Sequence, residues 1–108
     1  MAHYLFIESR DPFESAEVAA HVDLAAGLAR GGDQVTVFLV QNGVLAARRG
    51  AQADVVARLA AAGVEVLADD FSLRERAIAP ARLAPEVQAA PITTVVDRLE
   101  RGDKALWH

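Results

Sequence analysis

The chain alternates between short apolar runs and longer amphipathic stretches. Tyr4-Leu5-Phe6-Ile7 is a continuous apolar run of strand length, the pattern of a strand covered on both faces. Glu8 to Glu14 is mostly polar, and Asp11-Pro12 marks a turn. From Ser15 to Arg30 the period becomes helical. Val18, Val22, Ala25 and Ala29 fall on one stripe with Leu24 and Leu28 beside it, a helix start is expected near Glu14 or Ser15, and Gly31-Gly32 supplies the stop. Gln34 to Val40 is a β-branched, apolar second strand, broken by Gln41-Asn42-Gly43. The spacing then predicts a short helix over Val44 to Arg49 and a longer one over Ala53 to Ala62, carrying Val55, Val56 and Leu59 and stopping at Gly63.

Val64 to Leu67 reads as a third strand, ending in Ala68-Asp69-Asp70, and Phe71 to Ala77 as one or two helical turns. Pro80, Pro85 and Pro91 preclude a long helix between Ala79 and Pro91, although a short strand near Glu86-Val87-Gln88 fits. Ile92 to Arg101 is a final helix with Val95, Val96 and Leu99 expected inward, and Lys104 to Trp107 a terminal strand. This alternation predicts a single domain over residues 1–108 of the α/β class, a three-layer α/β/α arrangement with a mostly parallel sheet of about five strands.

Composition narrows the chemistry. With 15 acidic against 11 basic residues and a net charge of −4, no basic face is expected to hold a phosphate backbone, so neither nucleic acid nor a membrane surface is an expected partner. No apolar stretch approaches the roughly 20 residues needed to span a bilayer and no signal peptide is read at the start, so a cytoplasmic location is expected. The chain has no cysteine, which excludes disulfides, thiolate metal sites and thiol catalysis.

In an open parallel sheet, ligands gather beyond the carboxyl ends of the strands. Three polar segments fall there: Glu8 to Glu14, Gln41 to Val44, and Asp69 to Arg76. They supply the candidate ligand-binding residues Glu8, Arg10, Asn42, Gly43, Asp69, Asp70, Ser72 and Arg74. Asp69 or Asp70 is also placed to cap the helical turn that follows, its carboxylate accepting backbone N–H bonds. No glycine-rich phosphate loop follows the first strand and no Gly-x-Ser-x-Gly elbow surrounds Ser9, Ser15 or Ser72, so neither a dinucleotide cofactor nor serine hydrolysis is expected. His3, His21 and His108 show no paired helical spacing, and no metal and no catalytic residue is assigned. Trp107 is expected to be half-buried or to lie in an oligomer interface.

The order of these segments resembles the DsrE/DsrF/DsrH-like proteins, the small sulfur-relay fold that includes the three Tus subunits. The stretch from Gly32 to Val44, with its Gln41-Asn42-Gly43-Val44, is similar to the family's second strand and its Asp/Asn-Gly-Val turn. Val64-Glu65-Val66-Leu67-Ala68-Asp69-Asp70-Phe71 is similar to the DsrH and TusB stretch in which a Leu precedes acids and an apolar residue, and Trp107 resembles the closing Trp of DsrH. Active carriers of the family hold a persulfide on a cysteine after strand three. Here that stretch is Asp69-Asp70-Phe71-Ser72, and the family's downstream Arg-Gly pair is Arg76-Ala77. No carboxylate or hydroxyl takes up sulfane sulfur as a stable persulfide, so carrier chemistry does not transfer.

The resemblance therefore implies a cysteine-free, non-catalytic subunit or regulator in sulfur relay. It also implies an assembly, either a homo-oligomer (trimer or hexamer) or a hetero-oligomer with DsrE-family relatives. The alternative is a small-ligand-binding module or enzyme using the rim pocket.

Overall fold

The computed structural model describes residues 1–50 and 53–108. Along the chain run β1 (His3–Glu8), α1 (Glu17–Arg30), β2 (Gln34–Leu39), a 3-10 turn (Gln41–Ala47), α2 (Ala53–Ala61), β3 (Glu65–Asp69), α3 (Asp70–Glu75), a second 3-10 turn (Pro80–Arg82), β4 (Val87–Ala90), α4 (Thr93–Glu100) and β5 (Lys104–Trp107). The five strands form one sheet in the order β4-β3-β2-β1-β5. Every neighbouring pair is parallel, with Phe6 opposite Val37 and Leu106, and Val66 opposite Val87.

From β1 to β4 the chain steps steadily across the sheet; it then returns past β1 to lay down β5. Right-handed crossovers in opposite directions put their helices on opposite faces. Accordingly, Phe6, Val35, Val37, Leu39, Val66 and Ala68 meet α1 and α2 through Val18, Val22, Ala25, Val56 and Leu59. The other face presents Leu5, Ile7, Phe38, Val40 and Leu67, with Val95 of α4 packed against them. An Arg98 guanidinium reaches over the near ends of the strands there, to Thr36 Oγ1 at 2.6 Å and Glu65 at 2.9 Å.

The α/β class and the parallel sheet are as the alternation predicts. Three differences are local. The helical segment after β2 starts at Gln41 rather than Val44 and is a 3-10 turn, because Gln41 turns the chain sharply with φ +51. On α1 the buried positions are Val18, Val22, Ala25 and Ala26, while Leu24 stays exposed. On α4, Val96 and Leu99 do not point inward: they are 51% and 48% exposed, because only the flank carrying Val95 meets the sheet.

Candidate functional site

Beyond the carboxyl ends of β2 and β3 a cleft of about 540 Å³ opens on the α4 side of the sheet. Its floor is set by the end of β3. Asp69 caps α3: its Oδ2 accepts the Ser72 N–H at 3.0 Å and the Ser72 hydroxyl at 2.6 Å. The Ser72 Oγ in turn accepts the Gln41 N–H at 2.9 Å, which the turned backbone of Gln41 aims at it. Asp69 and Ser72 are both buried, and Asp69 Oδ1 has no hydrogen-bond partner among the described residues. A rim strut crosses above: Asn42 Oδ1 accepts from Arg76 Nε at 3.1 Å and Nη2 at 3.0 Å. Phe71, Ile92 and Trp107 form apolar walls, 58%, 53% and 68% exposed.

This arrangement holds Ser72 as a structural bridge. Its hydroxyl is already both donating and accepting, so it presents no nucleophile to the cleft. The polar lining is Ser9, Gln41, Asn42, Asp69, Ser72, Glu75 and Arg76, with Arg76 the cation among them.

Of the residues marked by the sequence, Asn42, Asp69 and Ser72 line this cleft together; Glu8, Arg10, Gly43, Asp70 and Arg74 do not. Arg10 is exposed and stands 3.9 Å from Glu17, and Asp70 and Arg74 face each other at the same distance along α3. Gly43 packs so closely under the end of β1 that a Cβ would run into the Glu8 carbonyl.

Glu8 turns to the α1 face and gathers a separate group. Its Oε1 lies 2.9 Å from His21 Nδ1 and 2.9 Å from His108 Nδ1, and its Oε2 accepts the Arg10 N–H at 2.9 Å. Burial pushes the Glu8 carboxyl up, but the hydrogen bonds from His21, the Arg10 N–H and His108, with the charge of His108, outweigh it and hold the group below the ordinary carboxylate range. Gln41 and Arg76 belong to the rim segments marked in the sequence, whereas His21 and His108 were missed as partners. His21 carried a signal, since it sits on the buried stripe between Val18 and Val22. His108 is brought in by the pairing of β5 with β1, where its N–H donates to the Ile7 carbonyl at 2.9 Å.

The DsrE/DsrF-like family profile matches residues 2–107. The chain belongs to the DsrE/DsrF-like family. Solved structures agree with this DsrE-like fold. The YchN protein from E. coli superposes with a TM-score of 0.90 at 20% identity, covering 100% of both chains. A protein of unknown function from Methanobacterium thermoautotrophicum, MTH1491, gives 0.86 at 19% identity, again over 100% of both chains. A conserved protein of unknown function from Bacteroides thetaiotaomicron, BT1422, gives 0.73 at 14% identity over 97% of this chain and 94% of that one. None of the curated proteins compared with this chain matches it in sequence. Among DsrE-like proteins this one has no cysteine at all, so the rim beyond β3 carries Asp69 and Ser72 and no thiol.

Proposed function

We propose that this DsrE-like protein is a non-catalytic subunit or regulator in cytoplasmic sulfur relay, working within an oligomer of itself or with cysteine-bearing relatives. One observation carries the reading: the rim beyond β3, where the resemblance puts the persulfide cysteine, is closed by the Gln41–Ser72–Asp69 hydrogen-bond chain in a protein without a thiol. A hydroxyl locked in that way neither attacks a persulfide nor carries its sulfur. Support for assembly comes from α4 and its surroundings. Ile92, Val96 and Leu99 stand one helical turn apart on an exposed stripe, and Phe71 and Trp107 continue it across the cleft. A contiguous apolar surface of this kind marks an interaction site. No helix among the described residues is long and apolar enough to cross a membrane.

A second reading, capture of a small polar ligand in the cleft, draws on the buried Asp69 Oδ1, which has no hydrogen-bond partner among the described residues, in a cleft that Arg76 also lines. Native mass spectrometry of protein purified gently from its own host separates the two. A hetero-oligomer with a cysteine-bearing relative, or a bare homo-oligomer that binds such a relative on mixing, is the expected result. A homo-oligomer carrying an extra small mass and indifferent to relatives overturns it in favour of the ligand-binding reading.

A further inference from the structure

The group around Glu8 lies where the strand order turns back, between β1 and β5, at the carboxyl ends of both strands. Open parallel sheets place ligands at such a turning point. Three elements deliver one donor each: the end of β1 brings Glu8, the inner stripe of α1 brings His21, and the residue after β5 brings His108. One ligand atom from each falls within 4.8 Å of the others. The side chains are 3%, 12% and 17% exposed, and their positions are fixed from behind. The Arg10 N–H holds Glu8 Oε2, Phe6 packs on the His21 ring at 4.9 Å, and Ser9 grips the His108 carbonyl through both its N–H and its hydroxyl.

The charge balance of this group is unusual. A buried carboxylate ordinarily faces Lys or Arg, yet among the described residues the ion-pair partners of Glu8 are the two imidazoles alone. Both imidazoles aim Nδ1 at the same carboxylate oxygen. Two imidazole nitrogens and one carboxylate oxygen are a donor set suited to a borderline divalent ion, and three protein ligands leave a coordination position for water or another small ligand. Ligation through Nδ1 puts the imidazole proton on Nε2. For His108 the Glu17 Oε2 stands 3.9 Å from that nitrogen, an ion-pair distance rather than a hydrogen bond. We infer that Glu8, His21 and His108 form a three-ligand site for a divalent transition-metal cation of the Zn²⁺ class.

This site is distinct from the cleft beyond β3, so the inference stands or falls apart from the proposed role in sulfur relay. The test is titration of chelator-stripped protein with Zn²⁺ by calorimetry and with Co²⁺ by visible absorption. One equivalent should bind, with ligand-field bands in the Co²⁺ form and a raised melting temperature. His21→Gln and His108→Gln should each weaken binding at least about tenfold, whereas His3→Gln should leave it unchanged. Circular dichroism establishes that each variant is folded. Should His21→Gln unfold, His108→Gln decides alone, because its main-chain pairing is independent of its ring. Absence of stoichiometric binding, or binding that survives His108→Gln, overturns the inference.

Discussion

On one face of the sheet, α1 and α2 lay Val18, Val22, Ala25, Val56 and Leu59 against Phe6, Val37 and Val66, and each of these side chains is essentially sealed from water. On the other face, α4, eight residues long, meets Leu5, Ile7, Phe38 and Leu67 of the strands and Val40 just after β2 through Val95, and the remaining apolar residues of the helix look outward. The difference follows from connectivity. Successive crossovers from β1 to β4 deposit their helices on the first face, and a single return crossover serves the second. The packed face holds the larger buried core; the thin face leaves Val96 and Leu99 exposed, and the proposed assembly rests on that exposure.

The largest effect is expected from Leu59→Ala, which removes a fully buried side chain and should cost about 3–4 kcal/mol in urea unfolding. Leu99→Ala on the thin face should stay within about 0.5 kcal/mol for the monomer, and equal losses at the two sites would end the contrast. Next comes assembly. If the proposed oligomer forms through this face, Leu99→Asp should shift it toward monomer in sedimentation velocity while changing monomer secondary structure little, and an oligomer that persists would remove the thin face as the interface.

A smaller effect should appear at low pH, at the corner joining α4 to β5. There Arg101 donates to Asp103 through Nε and Nη2, both at 2.8 Å. Those hydrogen bonds, opposed by burial and aided by the guanidinium charge, hold the Asp103 carboxyl below its ordinary value. A depressed carboxyl contributes stability that is present above its unfolded-state value and lost as pH falls through the folded one. Thermal melts from pH 5 downward should therefore show a steeper loss for the native protein than for Asp103→Asn.

The last effect is a gain. Ala77 follows α3 at φ +54, with its N–H on the Arg74 carbonyl and the Ile78 N–H on the Leu73 carbonyl, the Schellman closure that glycine makes at least cost. Ala77→Gly should stabilise the fold by roughly 0.5–1 kcal/mol in chemical denaturation, and a loss would show that the turn relaxes on its own.

How far the sequence carried can be judged from particular elements. The strands were legible because Tyr4 to Ile7 and Val35 to Val40 are apolar without alternation, as burial on both faces demands. Asp69 was legible as a cap because an acid after a strand and before a helical turn has an N–H to accept. The orientation of α4 was not, since an apolar stripe at helical spacing looks the same whether it faces its own sheet or a second chain. Nor was the meeting of Glu8 with His21 and His108. Their separations of 13 and 100 residues carry no local period, and only the return of β5 to the edge of β1 closes the gap. The cleft was half legible: Asn42, Ser72 and Arg76 fall in the polar segments after β2 and β3, whereas the reach of the Arg76 guanidinium to Asn42 depends on how the two segments meet.

Gly43 gives these two places a common fate. Its backbone rests on the Glu8 carbonyl, and its chain neighbour Asn42 holds the strut over the cleft. The missing side chain works as a shared hinge pin. Any atom added there must push the end of β1 away from the turn after β2, moving the carboxylate on one side and the amide on the other in a single displacement. A lineage could therefore revise the residues of either place independently, but not the spacing between them.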